Sequence, residues 1–223
     1  VGAYAKGNMT LDELTELECN ACPGEGSCAG LFTANTMSTA IEVMGLSLPG
    51  DASIPAIDPR KNDRAKESGR TLMRLLSEGI RPRDILTKKA FENAITVVVA
   101  MGGSTNAVLH LMAIAREAGV NLQLEDFDRI SRNTPYITDM KPGGRYVMAD
   151  LDRYGGISLV LKRLLNAGPL HGDAMTITGK SLAENVSSIN TVEDQPIVYN
   201  TDAPRSPTGG LAILRGNLAP EGA

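Results

Sequence analysis

Residues 19–37 read CNACPGEGSCAGLFTANTM and contain all three cysteines of the chain, in the spacing C-x2-C-x5-C. Gly24, Gly26 and Gly30 allow the backbone to turn tightly where side chains would obstruct it. Clustered thiols on a glycine-rich loop indicate a metal site or a reactive sulfur. The alternative is that the cysteines are small buried residues in a turn, because free cysteine often packs as a small hydrophobe.

A helical pattern follows directly after this loop and ends at Gly45. Its apolar residues recur on one helical face: Met37, Ala40, Ile41 and Met44. Cys28 therefore comes just before the N-terminus of a helix, where the helix dipole favours a thiolate or an anionic ligand.

The composition is that of an ordinary soluble globular protein. Of the 223 residues, 42% are hydrophobic and 22% are charged, and the net charge is −4. A net negative charge without a basic face argues against nucleic-acid binding, and no apolar run is long enough to cross a membrane. An odd number of cysteines forms no disulfide framework, which predicts a reducing compartment. We expect the cytoplasm, with an organelle as the alternative in a eukaryote.

Hydrophobic periodicity predicts a helix-rich α/β chain. Helices are expected at residues 11–17 (capped by Thr10), 62–79, 105–117, 124–132 and 158–165. Residues 95–99 are rich in β-branched side chains and suit a buried strand, but the period of the surrounding segment, which begins after Thr87, favours a helix. Residues 174–178 are predicted to be a strand, and the polar residues 186–208 a linker.

Four segments of the chain resemble motifs of the dihydroxy-acid dehydratase family, which also includes 6-phosphogluconate and sugar-acid dehydratases. They are residues 22–37, 100–111, 139–145 and 209–220. The resemblance runs in order over nearly the whole chain and implies that the chain is the middle part of a longer enzyme. By this resemblance, residues 1–205 are the central part of a helix-rich α/β dehydratase domain. Residues 206–223 are then a linker and the first strand, at 211–214, of a β-barrel-like domain.

The resemblance also implies the cofactors. Family members hold an iron–sulfur cluster, [2Fe–2S] or [4Fe–4S], through three cysteines from three separate segments, and Cys28 matches one of these ligands. Cys22 lies in the same motif but does not match the ligand, and Cys19 has no counterpart. A Mg²⁺ ion held by carboxylates, in many members together with a carbamylated lysine, and a serine base belong to segments outside this chain. No catalytic residue is therefore assigned here.

The segment from Gly102 to Asn106 opens a helix, and the free N–H groups of such a terminus can bind an anion. Ser104 and Thr105 are accordingly candidate binding residues for a substrate carboxylate or phosphate. The alternative is a tight turn between helices with Ser104 as the cap. His110, two turns further on, is predicted to be a packed or half-buried histidine and not a metal ligand.

The leading hypothesis is that the full enzyme dehydrates 2,3-dihydroxy carboxylic acids to 2-keto acids in the synthesis of valine and isoleucine. The resemblance implies a small-molecule substrate and a homodimer. A sugar-acid dehydratase of the same family is the nearest alternative. Alternatives of other classes are a non-catalytic zinc- or cluster-binding module and a nucleotide-binding domain built on the turn at Gly102. The C-x2-C pair resembles a zinc knuckle, but the only histidines, His110 and His171, lie in unrelated contexts.

Overall fold

A computed structural model of the chain describes residues 2–21, 28–187 and 189–223. These residues form eleven helices, five isolated β-bridges and no extended strand. The helices are α1 (Gly2–Ala5), α2 (Leu11–Asn20), α3 (Thr33–Val43), α4 (Arg60–Glu78), α5 (Pro82–Ile85), α6 (Lys88–Met101), α7 (Asn106–Ala118), α8 (Leu124–Arg132), α9 (Met148–Asp152), α10 (Ile157–Ala167) and α11 (Leu182–Ser187). The prediction of a helix-rich chain is confirmed, whereas the β part of the predicted α/β class is limited to isolated bridges among the described residues.

Helix α6 lies at the centre of the molecule and contributes to two hydrophobic cores. Its residues Val97, Ala100 and Met101 belong to the first core, together with side chains of α9, α10 and α11. Phe91 and Val98 belong to the second core, which α6 shares with α3, α7 and α8. A helix buried on all sides is hydrophobic all round, and this accounts for the β-branched run at residues 95–99. The preference for a helix in this segment is confirmed.

Local sequence signals place several helix ends. Thr10 caps α2 in a reciprocal capping box with Glu13, and the Thr87 side chain accepts a hydrogen bond from the Ala90 N–H at the start of α6. Gly79 and Gly119 end α4 and α7 in the left-handed conformation. The apolar face of α2 is not covered by the described residues, since Leu11 and Leu17 are exposed.

The predicted strand at residues 174–178 is wrong. Met175 makes one isolated bridge to Ser181, and between them the chain turns back on itself. The Thr176 hydroxyl holds this turn by donating to the Lys180 carbonyl oxygen over 2.9 Å. Threonine side chains that bond nearby backbone groups stabilise turns at the expense of a ladder.

The polar segment at residues 186–208 is not a solvated linker. Ile197 and Val198 are buried in the first core, and the Tyr199 N–H donates to the Ile137 carbonyl oxygen over 2.7 Å. Two buried aliphatic residues and backbone pairing to residues 136–139 tie this segment to the body of the protein. The sequence did not reveal this because the apolar pair is short and polar residues surround it.

The predicted first strand of a β-barrel-like domain is not supported by the structure. A strand requires a partner strand, whereas among the described residues the Leu214 backbone pairs only with Ala223, over 2.8 Å in each direction. Leu211 and Ile213 pack partly against the second core. The last residues therefore run along the helical body.

Candidate functional site

Cys28 lies where the chain enters α3, and its main chain is held by one side chain. The Asn35 amide nitrogen donates hydrogen bonds to the carbonyl oxygens of Cys28 and Gly30, each over 2.7 Å. The Cys28 residue is half-buried. Cys22, together with Gly24 and Gly26, lies outside the described residues.

Cys19 is exposed and lies on α2. The structure therefore distinguishes an exposed thiol on a surface helix from a half-buried thiol fixed by its backbone. The assignment of Cys28, and not Cys19, as a ligand stays a prediction.

The motif at residues 139–145 packs directly beside the Cys28 segment. The Leu31 N–H donates to the Lys141 carbonyl oxygen over 2.7 Å, and the Met148 N–H donates to the Ala29 carbonyl oxygen over 2.8 Å. A Cβ atom on Gly30 would lie 2.9 Å from the same Lys141 oxygen. Glycine is therefore needed at position 30 for the two backbones to meet.

A buried carboxylate anchors this second motif. Asp139 is only 5% exposed and binds Arg145 Nε over 2.6 Å and Arg205 Nη1 over 3.0 Å. The two guanidinium groups also lie over aromatic rings, Arg145 over Tyr146 and Arg205 over Tyr136. A buried charge is tolerated when such partners satisfy it, so Asp139 fixes the loop that contacts Cys28.

The glycine-rich turn after α6 is attached to the same helix that follows Cys28. The Ser104 N–H donates to Thr36 Oγ1 over 3.0 Å, and the Asn106 amide nitrogen donates to Thr33 Oγ1 over 2.6 Å. Gly102 adopts φ +67°, and a Cβ atom there would lie 2.6 Å from the Tyr136 hydroxyl. Burial raises the pKa of Tyr136 against the opposing charge of Arg205, so this hydroxyl stays neutral at neutral pH.

Ser104 and Thr105 lie at the start of α7, but neither lines the pocket at Cys28. The Ser104 hydroxyl accepts a hydrogen bond from the Asn106 N–H over 3.3 Å, as a capping residue does. Thr105 is exposed. Their role in substrate binding stays a prediction.

The glycines at the start of the fourth motif reach the same turn. The Gly210 N–H donates to the Val99 carbonyl oxygen over 2.8 Å, and a Cβ atom on Gly210 would lie 2.7 Å from the Gly102 Cα. Gly209 donates in turn to the Ser131 carbonyl oxygen over 2.8 Å. The four motifs, far apart in the sequence, are thus linked by direct contacts.

A pocket of about 400 Å³ opens beside Cys28. It lies between the start of α3, residues 52–56, the first turn of α4 and residues 147–153. Its polar and charged lining consists of Cys28, Asn35, Ser38, Ser53, Lys61, Asp150 and Arg153. The volume falls in the range of small-molecule sites. Sequence reasoning missed Lys61, Asp150 and Arg153, because nothing in their local spacing distinguishes them from other surface charges.

Across the described ranges, no group of three or more histidine, cysteine, aspartate or glutamate residues is arranged to hold a metal ion. Cys28 is able to supply one thiolate ligand, but the described residues do not complete a ligand set around it. His171 binds Glu92 over 2.8 Å and is distant in sequence from the motifs. His110 is exposed, so the prediction of a packed or half-buried histidine is wrong: its position on α7 faces solvent.

The comparisons with known proteins identify the family. The family model described as dihydroxy-acid/6-phosphogluconate dehydratase N-terminal matches residues 1–185. The chain belongs to this dehydratase family. A relative named dihydroxy-acid dehydratase from Sulfurisphaera tokodaii is 56% identical over 225 residues, and one from Acidothermus cellulolyticus is 54% identical over 224. A relative from Staphylococcus saprophyticus, named dihydroxy-acid dehydratase 2, is 52% identical over 223 residues.

Each of these alignments covers 100% of this chain but 40% of the relative, so the chain spans about two fifths of the length of these dehydratases. This stretch of the dehydratase sequence contains Cys28 and the pocket beside it. In the described part of the chain, no helix is long and apolar enough to cross a membrane.

Proposed function

We propose that this chain is part of a hydro-lyase that converts 2,3-dihydroxy carboxylic acids to 2-keto acids. The observation that carries the proposal is the chain of contacts that links the four family motifs to the segment of the half-buried Cys28, at the edge of a pocket large enough for a small acid. The reported relatives are named dihydroxy-acid dehydratase, which favours this substrate class over the sugar acids of the wider family.

The overall reaction removes the C2 proton and the C3 hydroxyl as water, and the resulting enol tautomerises to the 2-keto acid. We infer that Cys28 is one of three thiolate ligands of an iron–sulfur cluster, either [2Fe–2S] or [4Fe–4S]. Cys28 alone does not fit a complete cluster site, so the other ligands must come from residues outside the described ranges. When bound, such a cluster supplies Lewis acidity toward a hydroxyl group.

In this proposal, residues of this chain position the backbone around Cys28. Asn35 fixes the backbone at Cys28 from one side, and the Lys141 and Met148 backbone contacts fix the following residues from the other. Preorganisation by packed neighbours of this kind keeps a ligand in one geometry. The Mg²⁺ ion and the serine base of the family would be supplied by segments outside the chain.

We further infer a place in the synthesis of valine and isoleucine, in the cytoplasm, as a homodimer of the full-length enzyme. The division into residues 1–205, as the central part of the α/β dehydratase domain, and residues 206–223, as the connection to the next domain, also stays a proposal. The packing of Leu211 and Ile213 on the second core indicates that this connection begins along the helical body.

The decisive experiment compares two serine variants in the full-length enzyme. Cys28→Ser should lower bound iron and abolish dehydration, whereas Cys19→Ser, which changes an exposed thiol, should leave both unchanged. Iron and sulfide analysis and the formation of 2-keto acid are the measurements. Equal loss in both variants would reject Cys28 as the specific ligand and indicate a local C-x2-C site. Turnover of an aldonate in preference to a branched dihydroxy acid would favour the sugar-acid alternative.

A further inference from the structure

The pocket beside Cys28 contains three charged side chains, and two of them neutralise each other. Arg153 Nη1 lies 3.3 Å from Asp150 Oδ1, and the other oxygen of Asp150 accepts a hydrogen bond from the Val147 N–H over 3.0 Å. The Arg153 side chain is also 74% exposed. This pair therefore adds little net charge to the pocket.

Lys61, the third charged side chain, is positioned by a neutral group. Its ammonium nitrogen donates to the Asp51 backbone carbonyl oxygen over 2.9 Å, and the residue is half-buried. The Asp51 carboxylate is bound by Arg64 instead. No carboxylate within the described residues forms a direct ion pair with Lys61. The Asp58 carboxylate, which Arg60 binds, is attracted by Lys61 only at longer range, so the ammonium group has no contacting counter-charge.

We propose that Lys61 binds the carboxylate of the acid substrate in the pocket beside Cys28. The identity of the ligand as a hydroxy acid rests on the proposed function. An ammonium group forms a charge-assisted hydrogen bond with a carboxylate, and partial burial strengthens this bond relative to water. Because Lys61 and Cys28 line one pocket, a small acid bound at Lys61 lies in the same pocket as the thiol.

The remaining lining suits the rest of such a molecule. Alanines at positions 29, 34, 52 and 56 leave space for a short carbon chain, and the Ser38 hydroxyl is available for a substrate hydroxyl. The structure thus assigns a cation, a polar group and a thiol to one pocket. This combination fits a small hydroxy acid better than a neutral or cationic ligand.

The rate of Cys28 alkylation reports on the charge at Lys61. The reduced 223-residue chain is treated with iodoacetate, which is anionic, or with iodoacetamide, which is neutral, and the modification of Cys28 is followed by peptide mass spectrometry. We expect Lys61→Gln to lower the ratio of the iodoacetate rate to the iodoacetamide rate by about two- to fivefold at low salt. High salt should lower the same ratio in the unmodified sequence.

Two controls separate this effect from general charge changes. Lys89→Gln removes an exposed lysine that pairs with Asp173 outside the pocket, and it should leave the ratio at Cys28 unchanged. The ratio at the exposed Cys19 should not respond to either variant. Circular dichroism of each variant checks that the fold is retained. An unchanged ratio in Lys61→Gln would overturn the proposal.

Competition tests the class of ligand. Glycerate, the smallest 2,3-dihydroxy acid, should slow the alkylation of Cys28 by iodoacetate, whereas glycerol, which lacks the carboxylate, should not. The protection should be lost in Lys61→Gln. Absence of protection by glycerate would reject a hydroxy acid as the ligand even if the charge effect is present. The proposed function fails on different measurements, namely iron content and turnover of the full-length enzyme.

Discussion

At the scale of single residues, Glu42 is a buried acid that holds the wall of the pocket. Its carboxylate accepts hydrogen bonds from the Gly50 and Ala52 N–H groups, each over 2.8 Å, and so ties the loop that carries Ala52 to α3. Burial raises the pKa of Glu42 to about 7, and the nearby Asp51 adds to the rise while these hydrogen bonds and Arg64 oppose it.

This raised pKa predicts a loss of stability with rising pH. Between the ordinary value of 4.5 and about 7, the folded chain holds a proton that the unfolded chain has released. The free energy of unfolding should therefore fall across this window, by up to about 3 kcal/mol. Denaturant titrations from pH 5 to pH 8 should show a flatter dependence in Glu42→Gln than in Glu67→Gln, an exposed control. The same slope in both variants would rule out Glu42 as the titrating group.

Substitution by alanine should change the free energy of unfolding in opposite directions at two glycines. Gly102 needs φ +67° and faces the Tyr136 ring, so Gly102→Ala should lower the free energy of unfolding by about 1–3 kcal/mol. Gly69 lies within α4 with nothing within 4 Å of a Cβ atom, so Gly69→Ala should raise it by about 0.5–1 kcal/mol. Thermal or denaturant unfolding measures both. A stable Gly102→Ala variant would contradict the tight turn.

At the scale of elements, the sequence predicted α6 correctly but failed at two shorter segments. The helix was predictable because its start at Thr87 and its 3.6-residue period outweigh the β-branched run at residues 95–99. The strand at residues 174–178 was not excluded by composition, since only the threonine-bonded turn at Thr176 decides against it. The burial of Ile197 and Val198 depends on a distant partner, the backbone of residues 137–139, which no local pattern reveals.

Because α6 lies at the centre of the molecule, side chains on it should cost the most stability when they are shortened to alanine. Phe91 is fully buried in the second core, so Phe91→Ala should lower the free energy of unfolding by about 3–5 kcal/mol. Leu72 on α4 is 58% exposed, and Leu72→Ala should change stability by less than about 1 kcal/mol. Chemical denaturation of both variants tests this difference. Similar losses would mean that the face of α4 with Leu72 is covered by another surface in solution.

At the scale of the whole molecule, the sequence motifs identified the family and led to the prediction for Cys28, but they did not show how the motifs meet. The cysteine segment contacts residues 139–145, and α3 joins it to the turn after α6, which in turn contacts Gly210. These contacts are long-range and depend on glycine positions where two backbones approach. Lys61 belongs to the same pocket only through the fold, because it is 33 residues from Cys28 in the sequence.

The fold and the ligand set together predict that the 223-residue chain folds but is catalytically silent. Two hydrophobic cores share α6, so the purified chain should show helical circular dichroism. Cluster ligation normally uses several cysteines together, and the described residues place Cys28 in no such group. Anaerobic reconstitution with iron and sulfide should therefore give no cluster absorption in the visible range.

The same chain should form no 2-keto acid from any 2,3-dihydroxy acid, whereas the full-length enzyme, reconstituted in parallel, should show both the absorption and the activity. Absorption and activity must appear together if the flanking segments supply the missing ligands and the base. Keto-acid production by the 223-residue chain alone would show that the chemistry does not depend on those segments. It would also require the catalytic group to lie among residues that the motifs leave unassigned.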